Sequence, residues 1–76
     1  MQQFIEFVAR QLAESPDQVE VTESVEDATT IYRLKVAPED MGRIIGRQGR
    51  VVRAMRVLLR AAAARQGLHV ALEVKE

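Results

Sequence analysis

Gly46 and Gly49 stand three residues apart, with the apolar pair Ile44-Ile45 before them and Val51-Val52 after them. Upstream, Pro38 suits the first position of a helix, where its missing N–H costs nothing. Glu39 and Asp40 fall in the first turn, where the helix dipole favours acids. That short helix, about residues 38–45, stops at Gly46. Downstream, Val51, Val52, Met55, Leu58, Leu59, Ala62 and Ala63 recur at helical spacing and predict a longer helix, from about Gly49 to a stop at Gly67. A helix, a two-glycine turn and a second helix thus occupy the middle of the chain, and the other elements must be arranged around them.

Residues 2–14 predict a further amphipathic helix, with Phe4, Val8 and Leu12 at i, i+4, i+8 and Ile5 beside them, ended by Ser15-Pro16-Asp17. Val19, Val21 and Val25 alternate with Glu20, Thr22 and Glu26 as a half-buried strand. Asp27-Ala28 reads as a tight turn. Tyr32, Leu34 and Val36 alternate with Ile31, Arg33 and Lys35 as a second strand, and Leu68, Val70, Leu72 and Val74 with His69, Ala71, Glu73 and Lys75 as a third. A strand, two helices and another strand favour parallel pairing by a right-handed crossover. The expectation is an α+β fold of order α-β-β-α-α-β. Its three-stranded mixed sheet has the second strand central, the first antiparallel and the third parallel to it, with three helices on one face. At 76 residues, one domain over 1–76 is expected.

The formal net charge of zero conceals a division. Residues 1–40 carry nine acidic and three basic side chains, whereas residues 41–72 carry seven arginines and no acid. A basic half of this kind is the footprint of a nucleic-acid face. The bland alternative is a solvated helix side rich in arginine. It gives no reason for Arg43, Arg47 and Arg50 to cluster about the two glycines. A turn without side chains at its two ends can approach a sugar-phosphate backbone closely, and arginines around it supply the charge.

The run Ile44-Ile45-Gly46-Arg47-Gln48-Gly49-Arg50-Val51-Val52 resembles the (I/V)-I-G-x-x-G-x-x-(I/V) core of KH domains, whose GXXG loop clamps about four nucleotides of a single strand. The element order is that of the type II KH fold. With Gly42-Arg43, Ala54-Met55-Arg56 and the alanine-rich helix end, the whole chain resembles the small single-KH proteins of the KhpA (YlqC) family. The resemblance implies a bacterial, cytoplasmic RNA-binding protein, an RNA chaperone or post-transcriptional regulator with a link to cell shape and wall homeostasis. It also implies a homodimer, or a heterodimer with a larger KH protein of the Jag (KhpB) type.

The residues expected to meet single-stranded RNA are Gly46, Arg47, Gln48 and Gly49 in the loop, Arg43, Arg50 and Arg53 around it, and Gly42 with Ile45 as an apolar floor. Ile45 reads equally well as core. Arg33 and Lys35 line the sheet side of a groove or are simply solvated. Three aromatics (Phe4, Phe7, Tyr32), none near the loop, argue against stacking platforms. The loop lacks the spacing and Lys-Ser/Thr of a P-loop and the G-x-G of a dinucleotide fingerprint. Without cysteine, and with His69 alone on an outward strand register, no metal, cofactor or catalytic set is expected. No basic N-terminal segment leads into an apolar run, and no run approaches the ~18 residues that span a bilayer. The rival reading is a KH-like module that mainly docks on protein. Small apolar Val57, Ala61 and Ala64 on the outer side of the long helix are its candidate contact, or merely good helix formers.

Overall fold

The computed structural model describes residues 1–76. Helix α1 spans Gln2–Leu12 and strands β1 and β2 span Glu20–Glu26 and Thr29–Lys35. Helix α2 spans Met41–Ile45, α3 spans Arg50–Arg65 and β3 spans His69–Lys75. Single 3₁₀ turns at Pro16–Gln18, Pro38–Asp40 and Arg47–Gly49 join them. The sheet order is β1-β2-β3, with β1 antiparallel and β3 parallel to β2. This is the expected type II KH arrangement.

The core lies between the sheet and the helices. Val21, Tyr32, Leu34 and Leu72 meet Ile5, Ala9, Ile44, Val52, Met55 and Leu59 there. Two of the expected apolar stripes are displaced. In α1 the buried residues are Ile5 and Ala9, whereas Phe4 is 39% exposed and Leu12 lies at the surface. In α3 they are Val52, Met55, Leu59 and Ala63. Leu58 is 55% exposed, and Ala62 is exposed with it. Ala9 packs in the core, and Ala63 is buried near the end of α3. The facing flanks of α1 and α3 are left as a shallow apolar groove of Met1, Phe4, Leu58, Leu59 and Ala62. Val25, beside the hairpin turn, is also exposed rather than half-buried.

The hairpin turns through Asp27 (φ 50°) and Ala28 (φ 65°), the two positive φ values that a tight mirror-image turn demands. Alanine resists that conformation by about 1–2 kcal/mol. Ala28→Gly, which creates the favoured Asp-Gly pair, is expected to stabilise the protein by about 0.5–1 kcal/mol after glycine's own entropy is charged against it. A rise in the urea midpoint at unchanged slope checks this.

Arg33 lies on the sheet face away from the helices. Its guanidinium donates to Ser24 Oγ (2.9 Å), Glu26 (3.2 Å) and Glu73 (3.1 Å), stitching all three strands. Bonding to Glu26, then the charge and bonding of Glu73, raise its pKa further. Lys35 shares that face, two residues on. Neither lines a groove under the helices, which corrects that half of the expectation. On the opposite face, burial and then the Glu23 carboxylate raise the Tyr32 phenol, which stays neutral.

Asp40 anchors α2. Its side chain is wholly buried, and its carboxylate accepts the backbone N–H groups of Glu14 (2.9 Å) and Ser15 (3.1 Å). The turn after α1 is thereby tied to the start of α2, which fixes where α2 delivers the glycine loop.

Candidate nucleic-acid interface

Gly46 ends α2 at φ 79°, ψ 171°, a region essentially closed to other residues. A Cβ there would lie 2.5 Å from Val51 Cγ2 and 2.9 Å from the Val51 nitrogen. Gln48 (φ 56°, ψ 26°) and Gly49 (φ 76°, ψ 16°) follow in the left-handed region. The turn closes on itself. Gly49 N–H donates to the Gly46 carbonyl (3.1 Å), and Arg50 N–H to that of Arg47. Arg53 reaches back one turn and donates to the Gln48 carbonyl at 2.6 Å. With the backbone held from inside, the Arg47 and Gln48 side chains stand exposed at the tip. The positive end of α3 points at the same place.

The other predicted residues gather around this tip with different freedoms. Arg50 is exposed on the outer side of α3. Arg53 is exposed but spends one nitrogen bracing the loop. Arg43 is bonded to the Glu14 carboxylate and lies 3.9 Å from Asp40, so a phosphate must compete for it. Gly42 is exposed, and a Cβ built on it would enter open space, so nothing inside the protein requires glycine there. Ile45 is half-buried and packs on the core while keeping an open side. No set of His, Asp or Glu comes together in metal-holding geometry.

Arg53, Arg56 and Arg60, spaced three and four apart, run down the β3 side of α3. They lead from the loop into a hollow of about 140 Å³ between α3 and β3, lined by Arg56, Leu59, Arg60, Val70, Ala71 and Leu72. A second hollow, sharing Arg60 and Val70, continues it past Gly67. Arg56 places Nη2 at 3.1 Å and Nε at 3.3 Å from the Leu72 carbonyl. The sequence marks Arg56 only as one more arginine and Asp40 only as a first-turn acid. Their partners lie 16 and about 26 residues away and arrive by folding.

The KH-domain profile of the KhpA/KhpB family matches residues 2–74. The chain belongs to the KhpA/KhpB KH-domain family. Among its relatives is the RNA-binding protein KhpA of Clostridium acetobutylicum, 43% identical over 74 residues, which covers 97% of this chain and 99% of that one. Those of Chlamydia pneumoniae and Aquifex aeolicus are 38% and 37% identical over 76 residues. Both alignments cover this whole chain, and 97% and 96% of theirs. The matched span includes the loop at 46–49 and the helices α2 and α3 on either side of it. No helix is long and apolar enough to cross a membrane.

Proposed function

We propose that this protein is a single KH domain over residues 1–76 that binds single-stranded RNA in the cytoplasm without catalysing a reaction. The strand enters at Gly46, Arg47, Gln48 and Gly49, is held by Arg50, Arg53 and Arg43, and lies against Gly42 and Ile45. The observation that carries this is the loop itself: a turn braced from within, with two donor side chains at its tip and the positive end of a 16-residue helix behind it. Gly42 adds support. Glycine inside a helix costs about 0.5–1 kcal/mol, and here no internal contact requires it, which fits a surface kept open for a ligand. The relatives' names, RNA-binding protein KhpA, point the same way. An RNA chaperone or post-transcriptional regulator is the role this fits. Its link to cell shape is read out by cell length in a strain lacking the protein.

Titration with a fluorescent single-stranded RNA at rising salt is the direct test. Several phosphate contacts give a steep linear fall of log K with log salt. Arg50→Ala should weaken binding to every sequence alike and lower the slope by about one. A flat salt dependence would favour the docking-module reading instead.

One observation supports a protein partner as well. Val57 (60% exposed), Leu58, Ala61 and Ala62 form an apolar band on α3 that continues onto Phe4. A second copy, or a larger KH protein of the Jag (KhpB) type, would cover it. Leu58→Glu, like Ala61→Glu, is expected to shift a dimer to monomer in sedimentation equilibrium at high micromolar concentration. A monomeric wild type, with no complex formed when the larger protein is added, or a Leu58→Glu variant that still dimerises fully, removes this surface from consideration.

A further inference from the structure

We propose that Arg56 makes the hollow between α3 and β3 a base subsite that accepts guanine or cytosine and discriminates against adenine, an inference that rests on the RNA-binding reading above. β3 is an edge strand. Its Lys75 carbonyl accepts from Val36 N–H at 3.0 Å, so the backbone of the odd-numbered residues faces β2. Successive residues of a strand alternate, so Val70, Leu72 and Val74 turn their N–H and C=O groups to the free edge. The Leu72 carbonyl is the one that Arg56 holds, at 3.1 and 3.3 Å.

A bare edge residue offers one donor and one acceptor close together. That pair suits a base presenting an amine beside a ring nitrogen, as adenine and cytosine do. Arg56 changes the offer. The Leu72 acceptor is engaged, its N–H remains, and the guanidinium carries five N–H groups and no acceptor, with Nη1 still uncommitted. Val70's carbonyl sits across the wider gap of the strand edge, too far to pair with Leu72 N–H on one base edge. A base entering above Leu59 and Val70 therefore meets adjacent donors, with Arg60 as a further one at the rim. Guanine, with O6 and N7 side by side, and cytosine, with O2 beside N3, each present two adjacent acceptors on one edge, and arginine is guanine's usual partner; adenine presents no such pair. An amino group placed there would face donors only.

The competing explanation is that Arg56 only blunts an exposed strand edge. Gln2 does something similar on the far edge, where its Nε2 donates to the Val21 carbonyl at 3.0 Å. Binding to oligouridine carrying one guanine, adenine or cytosine at a central position separates the two. Wild type is expected to bind the guanine and cytosine oligomers roughly tenfold more tightly than the adenine one. Arg56→Met keeps the aliphatic stem, frees the Leu72 carbonyl and should erase or reverse that preference while overall affinity falls less. Arg50→Ala should weaken all three oligomers equally. The Leu72 amide resonance should move with guanine RNA and not with adenine RNA. Should Arg56→Met not fold, Arg56→Lys, with a single point donor, should lower the ratio. A wild type indifferent to the base, or a folded Arg56 variant that still discriminates against adenine, overturns the subsite and leaves RNA binding standing. No binding to any of the oligomers overturns both.

Discussion

Gly46→Ala is expected to destabilise the protein by about 2–5 kcal/mol, whereas Gly49→Ala should cost only about 1 kcal/mol. The difference comes from what surrounds each glycine. At Gly46 the backbone angles alone cost a side chain on the order of 1–3 kcal/mol. The new Cβ would also sit 2.5 Å from Val51 Cγ2 and 2.9 Å from the Val51 nitrogen. Val51 is in the first turn of α3 and packs on the core, so relieving the clash means moving the helix start. Overpacking of that kind adds about 1–3 kcal/mol. At Gly49 the angles lie in the ordinary left-handed region, and the nearest atom is the flexible end of Arg53, at 3.4 Å. For a domain of this size each kcal/mol moves the thermal midpoint by roughly 4–8 °C. Gly46→Ala should therefore melt at least about 8 °C lower than wild type, with Gly49→Ala between them. Equal midpoints for the two variants would mean that α3 shifts freely, and that the loop is not fixed by its packing against Val51.

The two glycines look equivalent in the sequence, and that is one place where it reads short. Element order, strand order and direction, and the hairpin turn are all legible, because period-2 and period-3.6 patterns, turn residues and the handedness of crossovers can be read along the chain. Which side of an amphipathic helix faces the core is not so local. Phe4-Val8-Leu12 is the larger stripe on α1, yet Ile5 and Ala9 are the buried pair, because the packing distance is set by the sheet. Leu58 and Ala62 look like core for the same reason and are surface. At the site, the loop and its arginines can be found from spacing alone. Their states cannot. Arg43 is held by Glu14, Arg53 by the loop's own carbonyl and Arg56 by β3, and each partner is a product of the fold. Asp40 is the strongest case: an acid in a helix first turn is usually a surface residue, and two backbone donors brought from residues 14 and 15, with Arg43 3.9 Å away, make burial tolerable.

The loop tip carries the largest expected effect on function. Arg47→Asp combined with Gln48→Asp should reduce RNA affinity by at least roughly 100-fold and leave the fold unchanged. Both side chains are exposed and make no hydrogen bond in the structure, so the usual cost of such surface changes, within about 0.5 kcal/mol, applies. Gln48 has positive φ, and aspartate enters that region more readily than most residues. Two acids just ahead of α3 also suit the positive end of its dipole. Stability has several reasons to survive. Binding has none, because one cation is lost and two anions are set where a phosphate must come. Like charges forced together at an interface cost several kcal/mol, and 100-fold corresponds to only about 2.7 kcal/mol. Circular dichroism melting and an anisotropy titration on the same preparation decide the matter. A variant that melts like wild type and still binds would take the loop out of the site. The strand would then have to be held by Arg53, Arg56 and Arg60 along β3, and the braced glycine turn would be a device for starting α3 rather than for gripping RNA.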